Sequence, residues 1–318
     1  MTPSIVVIGN INVDLIMGSH DRWPELGTEM LLDRMELRIG GSAGNSLVAL
    51  RDLGATCSAI ANVGTDAFGG WLRAQLVDVQ GLWDTPNAPT SVTVALSHVS
   101  GERTFFSHLG HLAALSLEDV LDRLHVVRPG DIVLLVGAFL TPRLREQYPT
   151  LLAALKERRA LVALDPGWPS EGWSHDVRAE VRSWLASCDF ALLNDAELTA
   201  LAERDNVLAA IEVLGPILPA NGTLVVKCGS AGAVSYQAGV REQVDAPLVE
   251  VVDTVGAGDT FNAAYLHALA EGATKADALR TGVGVASLAI STFPRQYAPP
   301  SPPPHSASDA SATLNSTQ

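Results

Sequence analysis

Residues 132–137 read IVLLVG, and similar short apolar runs return at 161–165 (LVALD), 190–194 (FALLN) and 223–229 (TLVVKCG). Strands that are apolar on both faces are typical of a parallel sheet that is covered by helices on both sides. Helical patterns separate these runs, near Arg143–Arg158, at Val177–Ala186 and up to about Leu218. The sequence therefore predicts an α/β fold, a three-layer sandwich with a mostly parallel central sheet.

The two ends of this region extend the same pattern. Ser4–Ile8 (SIVVI) predicts another buried central strand, and Gly9 follows it directly. Two long helices are expected to close the ordered part, at about Ala257–Glu271 and Lys275–Ile290.

Two other segments alternate apolar and polar residues, which indicates half-buried strands of an antiparallel sheet. They are residues 29–39 and residues 92–97, and Ser100-Gly101-Glu102 predicts a hairpin turn from the second segment into Arg103–Ser107. We expect these strands, within about residues 15–40 and 90–108, to form a small β lid on the large domain.

Composition excludes several classes of function. The 318 residues include 21 Lys and Arg against 35 Asp and Glu, a net charge of −14, which argues against binding to nucleic acid or to an anionic membrane. None of the lysines follows a glycine, so the P-loop motif G-x-x-x-x-G-K-[ST] is absent. The three cysteines have no C-x-x-C spacing, and no signal peptide or long apolar stretch is evident, so a cytoplasmic protein is expected.

The stretch Asp253-Thr-Val-Gly-Ala-Gly-Asp259-Thr-Phe-Asn is the strongest chemical signal. It follows an apolar, strand-like stretch (Val249–Val252) and precedes a predicted helix, whose free N–H groups and positive dipole end suit a phosphoryl group. Asp259 at this helix start is well placed to accept a proton from a hydroxyl. The dipole should keep it ionised and make it a weak base. The alternative is a glycine-rich turn in which Asp259 is only an N-terminal charge.

Polar residues follow three other predicted strands. Asn12 and Asp14 lie just past the first strand, where ligands bind in open α/β sheets, but they could also form an ordinary polar turn. Asn194 and Glu197 could organise Mg²⁺-bound water, or could simply form a capping box. Lys227 could approach nucleotide phosphates or be a solvated charge.

Several motifs together, in order, resemble the ribokinase-like carbohydrate kinases of the PfkB family. They are IGNINVD, IGGSAGNSLVALRDLGA, GERTFF, LLNDAEL, VVKCGSAGA and VVDTVGAGDTFNAAYLHAL, and they span residues from about 5 to 292. The resemblance implies one kinase domain over residues 1–298. The Pro- and Ser-rich residues 299–318 are expected to be a disordered tail.

The resemblance also assigns roles to residues of this chain. It implies Asp259 as the catalytic base and the backbone N–H groups of Gly256, Ala257 and Gly258 as an anion hole. Asn12, Asp14, Gly41 and Asn45 would bind the hydroxyl groups of a sugar substrate. Asn194 and Glu197 would organise Mg²⁺, and Lys227, Gly229 and Gly232 would approach ATP. Asp253 and the Val255 carbonyl match the loop that often binds a monovalent cation such as K⁺.

Departures from the family pattern limit the choice of substrate. Ribokinase itself resembles GGKGAN where this chain has Ser42, and it has a glutamate after the strand that here reads LLVGAFLTP. Both differences weigh against ribose, and the missing lysine weighs against a phosphosugar. We expect an ATP-dependent kinase of a ketose or a keto-deoxy sugar acid.

Two alternatives remain open at this point. One is a nucleoside kinase of the same fold, which would need aromatic stacking from Trp23, Phe105 or Phe106. The other is a non-catalytic sugar-binding protein. In either case the apolar face formed by Met35, Leu37 and Ile39 suggests a homodimer that pairs lid against lid, because a small sheet is marginal alone.

Overall fold

The computed structural model describes residues 2–99 and 103–298. The predicted turn at 100–102 and the predicted disordered tail at 299–318 lie outside these residues. Among the described helices, none is both long enough and apolar enough to cross a membrane.

A nine-stranded sheet forms the centre of the molecule, and a four-stranded sheet forms the lid. The strands of the large sheet are β1 (Ile5–Ile8), β4 (Cys57–Asn62), β5 (Gln80–Asp84), β8 (Ile132–Val136), β9 (Leu161–Asp165), β10 (Phe190–Asn194), β11 (Thr223–Lys227), β12 (Ala233–Gln237) and β13 (Val240–Val244). The strands of the lid are β2 (Asn12–His20), β3 (Met35–Gly40), β6 (Val92–His98) and β7 (Arg103–His108).

Helices cover both faces of the large sheet. They are α1 (Ser42–Asp52), α2 (Ala67–Gln75), α3 (Leu117–Leu121), α4 (Pro142–Arg145), α5 (Tyr148–Glu157), α6 (His175–Leu185), α7 (Asp195–Ala202), α8 (Val207–Leu214), α9 (Ala257–Ala270) and α10 (Lys275–Ser291). Helices α1, α2, α9 and α10 pack on one face, whereas α3 to α8 pack on the other. The predicted three-layer α/β sandwich with a lid is confirmed.

The order of the strands determines where a ligand can bind. The large sheet runs β13-β12-β11-β10-β9-β8-β1-β4-β5, and all pairs from β11 to β5 are parallel. The chain moves from β1 toward β5 in one direction and later from β8 toward β11 in the other, so the order reverses between β1 and β8. Open α/β sheets bind ligands outside the carboxyl ends of their strands at such a reversal.

Burial explains why the central strands were predictable. Every residue of β1 and of β8 is buried, and successive side chains alternate between the two helical layers. Val133 and Leu135 pack in one layer, while Ile132, Leu134 and Val136 pack in the other. Both faces must therefore be apolar, which gives the continuous apolar runs in the sequence.

The lid differs from the prediction in two respects. Its longest strand, Asn12–His20, begins before the predicted start of the lid at about residue 15, and residues 29–34 of the strand predicted at 29–39 lie outside any strand. Strand β2 pairs with β3 on one side and with β6 on the other, so it is the central connection of the lid. It carries Asn12, Asp14 and His20 as buried polar residues, and these interrupt the apolar alternation that would have indicated a strand.

The apolar stretch Val249–Val252 was also predicted incorrectly as strand-like. It has no regular secondary structure, and Val251 and Val252 are exposed. β-branched residues favour strands only where a neighbouring strand covers them, and no described strand pairs with this stretch.

The core predicts a large difference between two identical substitutions. Leu134→Ala removes a fully buried side chain from the centre of β8, and we expect the free energy of unfolding to fall by about 2–5 kcal/mol. Leu26→Ala makes the same chemical change at a fully exposed position, and the expected change is within about 0.5 kcal/mol. Urea unfolding followed by circular dichroism measures both values. Equal losses from the two variants would contradict the described core.

Candidate active site

A cavity of about 680 Å³ opens at the carboxyl ends of the parallel strands. Asp165 ends β9, Asn194 ends β10 and Lys227 ends β11, and all three line this cavity. The first turn of α9 also lines the cavity. Parallel strands bring their carboxyl ends to one edge, so residues far apart in the sequence meet here.

The glycine-rich turn before α9 has the conformation that its sequence requires. Gly256 lies in the left-handed region at φ 74°, which favours glycine, and it precedes the first residue of the helix. Ala257, Gly258 and Asp259 form the first turn, where backbone N–H groups have no partner within the helix, although the Ala257 N–H donates to the Thr254 carbonyl oxygen at 3.1 Å. This end of α9 therefore offers N–H donors and a positive dipole to an anion in the cavity.

Asp259 is held by a residue from another helix. The Asn45 side chain in α1 donates from Nδ2 to Asp259 Oδ2 at 2.9 Å. Asn45 also lies against Gly256, because a Cβ atom added to Gly256 would lie 2.9 Å from the Asn45 side chain. The two glycine motifs that the sequence predicts, around residues 40–45 and 253–259, thus meet through this amide.

The pKa of Asp259 departs from the expectation that the helix dipole keeps this group a weak base. Burial raises the pKa to about 7, and the charge of Asp165 adds to this effect. The hydrogen bond from Asn45 and the charge of Lys227 oppose the rise but do not cancel it. A carboxylate with a pKa near neutrality is a stronger proton acceptor than an ordinary aspartate.

Lys227 is not the solvated charge that one interpretation of the sequence allowed. Its ammonium donates to Asp165 Oδ2 at 2.6 Å and to Asn262 Oδ1 at 3.2 Å, and Asn262 Nδ2 donates to the same Asp165 oxygen at 2.7 Å. Burial would lower the pKa of Lys227, but Asp165 and Glu197 more than offset it and the pKa is raised. Lys227 stays charged and lies beside Gly258, at the N-terminal end of α9.

Asn194 and Glu197 form the capping box that was the alternative interpretation, and they also line the cavity. Asn194 Oδ1 accepts from the Glu197 N–H at 2.8 Å, and Glu197 Oε2 accepts from the Asn194 N–H at 2.9 Å. Burial raises the pKa of Glu197 to about 7, and Asp165 contributes to the rise. The capping box therefore holds the Glu197 carboxyl group at the cavity wall, and this group changes its charge near neutral pH.

The polar residues after β1 lie in the lid, and Asn12, Asp14 and Gly41 are not among the residues that line the cavity of about 680 Å³. Asn12 Nδ2 donates to Asp14 Oδ1 at 2.7 Å, and both side chains are buried. Gly41 lies at φ 78°, and a Cβ there would come within 2.5 Å of Asn12 Oδ1. Burial raises the pKa of Asp14 to about 6, although Arg38 and Asn12 oppose the rise. The charge of Asp14 in turn raises the pKa of Asp259, so the two carboxyl groups are close neighbours.

Gly229 and Gly232 lie on the far side of the cavity, after β11. Both are in the left-handed region, at φ 54° and 88°. A Cβ on Gly232 would come within 1.9 Å of the Val244 carbonyl oxygen, so a larger residue is excluded there. Gly229 is exposed and has open space where a Cβ would lie, whereas Gly232 is buried.

Asp253 and Val255 lie in the turn before α9, but their surroundings differ from the expected cation loop. Asp253 Oδ1 accepts from the Val255 N–H at 3.0 Å. Asp253 Oδ2 accepts from Arg38 at 2.7 Å and from Arg295 at 3.2 Å. Two guanidinium groups therefore contact the carboxylate that was predicted to bind K⁺.

Four residues of this region were missed in the sequence. Asp165 ends a predicted strand, so the strand-end rule that selected Asp14 could have found it. Asn262 lies one helical turn after Asp259 and could have been inferred from α9. Arg38 and Arg295 reach Asp253 from distant parts of the chain, and no local pattern indicates either contact.

Comparison with known proteins agrees with this geometry. The model of the pfkB family of carbohydrate kinases matches residues 2–301. Probable fructokinase-3 of Arabidopsis thaliana is 27% identical over 244 residues, which cover 73% of this chain and 69% of the relative. Ribokinase of the same plant is 26% identical over 311 residues, 91% of this chain and 76% of the relative.

A solved structure extends the likeness to three dimensions. The structure of Arabidopsis thaliana ribokinase complexed with ribose and ATP has a TM-score of 0.74 and 25% identity, and the match covers 92% of this chain and 94% of that one. The fold is therefore the ribokinase fold, with a large mostly parallel sheet and a small second sheet. The chain belongs to the pfkB family of carbohydrate kinases and is a phosphotransferase.

Proposed function

We propose that this chain transfers the γ-phosphoryl group of Mg-ATP to a hydroxyl group of a ketose or a keto-deoxy sugar acid, in the cytoplasm. The observation that carries the proposal is the position of Asp259, at the N-terminal end of α9 and hydrogen-bonded to Asn45. A proton acceptor and backbone N–H donors of the first helical turn thus lie together, beside a cavity of about 680 Å³.

In this mechanism the sugar lies between the lid and α9. Asn12, Asp14, Gly41 and Asn45 bind its hydroxyl groups, since carboxylate and amide groups form paired hydrogen bonds with diols. Asp259 accepts the proton of the attacking hydroxyl. Its raised pKa suits this role, because an ionised base of higher pKa takes the proton more readily.

The phosphate side of the reaction depends mainly on positioning and charge. The N–H groups of Gly256 and Gly258 face the transferring group, and the Ala257 N–H joins them once it leaves the Thr254 carbonyl. Lys227 supplies a fixed positive charge beside Gly258. Gly229 leaves room for the nucleotide, and Gly232 lines the same cavity. Closure of the lid would exclude water and limit hydrolysis of ATP.

The donor set fits Mg²⁺ that arrives with the nucleotide. Glu197 and Asp165 are carboxyl groups at the cavity, and the charge of Asp165 raises the pKa of Glu197, so a cation would relieve their repulsion. Within residues 2–99 and 103–298, no cluster of three or more acidic, His or Cys side chains forms a metal site. Mg²⁺ is often held by phosphates and water with only one or two carboxylates, and it would neutralise phosphate charge here.

The nucleoside alternative is less well supported by the lid. Phe105 pairs with Ala95, which pairs with Ile16, so Phe105 shares the face of Asp14. Phe106 points to the opposite face, where Trp23 contacts it edge-on at 6.1 Å. Only one of the three candidate aromatic residues therefore faces a substrate, and a pair that could sandwich a nucleobase is not formed by them.

The first test is ADP release with Mg-ATP across a panel of ketoses, sugar acids, phosphosugars and nucleosides. We expect turnover with a ketose or a sugar acid and a decrease in kcat of about 10²–10⁴-fold in Asp259→Asn, because the base is lost. Asp176→Asn is a matched control, since Asp176 is a fully exposed carboxylate in the first turn of α6.

Turnover only with nucleosides would favour the nucleoside kinase. ATP binding without any turnover would favour a non-catalytic sugar-binding protein.

The raised pKa of Asp259 predicts a pH profile. The carboxyl group must be ionised to accept a proton, so with saturating Mg-ATP the kcat/KM for the sugar should decline below pH 7, toward tenfold per pH unit. Initial rates from pH 5 to pH 9 at constant ionic strength measure this profile. A profile that stays flat down to pH 5 would mean that the base has an ordinary aspartate pKa.

We also propose that the protein is a homodimer that pairs lid against lid. Met35, Leu37 and Phe106 lie on the lid face opposite Asp14, and each is at least one-third exposed. A second copy would cover this apolar face.

Light scattering at micromolar concentration tests the dimer. We expect the wild-type protein to have twice the monomer mass and Phe106→Glu to be monomeric, because a charge would be buried in the interface. Phe68→Glu, at a partly exposed phenylalanine on α2, is the control and should remain dimeric. A wild-type monomer would exclude this assembly.

A further inference from the structure

Asp253 is the centre of an arginine cluster that connects three parts of the chain. Arg38 comes from strand β3 of the lid and donates from Nη1 to Asp253 Oδ2 at 2.7 Å. Arg295 follows α10 and donates from Nη2 to the same oxygen at 3.2 Å and to the Asp253 carbonyl oxygen at 3.4 Å. The side chains of all three residues are less than one-fifth exposed.

This cluster fixes the turn that leads into α9. The second carboxylate oxygen of Asp253 accepts from the Val255 N–H, which closes the turn over residues 253–255. The backbone N–H groups of Val252 and Asp253 both donate to the carbonyl of Ile290, at 2.8 and 3.1 Å. Only two residues separate Asp253 from the proposed anion hole at residues 256–258, and these hydrogen bonds fix the start of that segment.

The residues present do not fit a monovalent cation at Asp253. An alkali cation binds through oxygen atoms, and the loop would have to provide the Asp253 carboxylate and carbonyl groups nearby. Asp253 Oδ2 and the Asp253 carbonyl already accept from guanidinium donors. Arginine remains charged at every relevant pH, so K⁺ here would be a third positive charge beside two that are permanent.

The charge state of Asp253 agrees with this arrangement. Burial would raise the pKa of the carboxyl group, but the Val255 N–H and the charges of Arg38 and Arg295 more than offset it and hold the pKa below its usual value. The carboxylate is thus ionised and balanced by groups of the chain itself.

We propose that Arg38 and Arg295 take the place of a monovalent cation, as positioning residues that hold the turn before the anion hole, so that the enzyme does not require K⁺. The guanidinium groups are tethered and planar, and they bring the lid and the segment after α10 to one carboxylate. This inference rests on the proposed kinase function for its activity readout, but not for its stability readout.

The test compares KCl with choline chloride at matched ionic strength. With the sugar found in the panel, we expect the wild-type kcat and KM to agree in the two salts within about twofold. The melting temperature of the wild-type protein should also be the same in both salts. Activation of about tenfold by KCl, or stabilisation by KCl alone, would overturn the proposal.

Arginine variants test the positioning role. In choline chloride, Arg295→Met should lower kcat by about tenfold or more, because a displaced anion hole weakens transition-state contacts, and Arg295→Lys should recover part of the loss. Arg280→Met, on the exposed side of α10, is the matched control and should keep the wild-type rate. Circular dichroism and the melting temperature verify that each variant is folded.

An unchanged kcat in Arg295→Met would overturn the proposal. Failure of the kinase proposal would give a different result, because the wild-type protein would then turn over no compound of the sugar panel. In that case the comparison of melting temperatures in the two salts still decides whether K⁺ binds.

Discussion

The ion pair between Lys227 and Asp165 is the interaction on which the candidate site depends. It joins the ends of two strands that are separated by β10 in the sheet, and Asn262 of α9 hydrogen-bonds to both partners. A buried ion pair stabilises a fold only when further hydrogen bonds satisfy its polar atoms, and here an amide supplies them. The pair therefore holds α9, and with it Asp259, against the edge of the sheet.

The same ion pair contributes to the pKa shifts of the neighbouring carboxyl groups. Asp165 raises the pKa of Asp259 and of Glu197, and Lys227 lowers both, although burial is the largest cause in each case. One lysine cannot balance the carboxyl groups that meet at this edge. A cavity with this charge favours a ligand that carries its own divalent cation, as Mg-ATP does, over a bare phosphate. The arginines at Asp253 balance a separate carboxylate, on the lid side of the turn.

Sequence alone predicted the parts of the fold that depend on burial on both faces. The strands at 161–165 and 190–194 were predicted with their exact bounds, because continuous apolar runs of that length have few alternatives in an α/β pattern. The same rule failed at Val249–Val252, where Val249 and Val251 line a cavity and no described strand pairs with the stretch. Strand β2 was missed because the buried polar residues Asn12, Asp14 and His20 interrupt its apolar pattern.

In the candidate site, the residues that belong to local sequence motifs could be predicted, whereas contacts between distant residues could not. Asp259, Asn45 and Lys227 belong to local motifs, and the structure brings them to one cavity or in contact with its wall. Contacts between distant residues could not be inferred: Arg38 and Asp253 are 215 positions apart, and Lys227 and Asp165 are 62 apart. A single sequence contains no signal for such pairs, and they decide the charge of the site.

The central claim is that burial, together with the charge of Asp165, raises the pKa of Asp259 toward neutrality. The most direct measurement is a titration of its carboxyl carbon by ¹³C NMR, in the protein without ligands, with Asp259→Asn to assign the signal. The account predicts a pKa of about 7 that falls when Asp165 is replaced by Asn. A pKa near 4, unchanged in the Asp165→Asn variant, would contradict it.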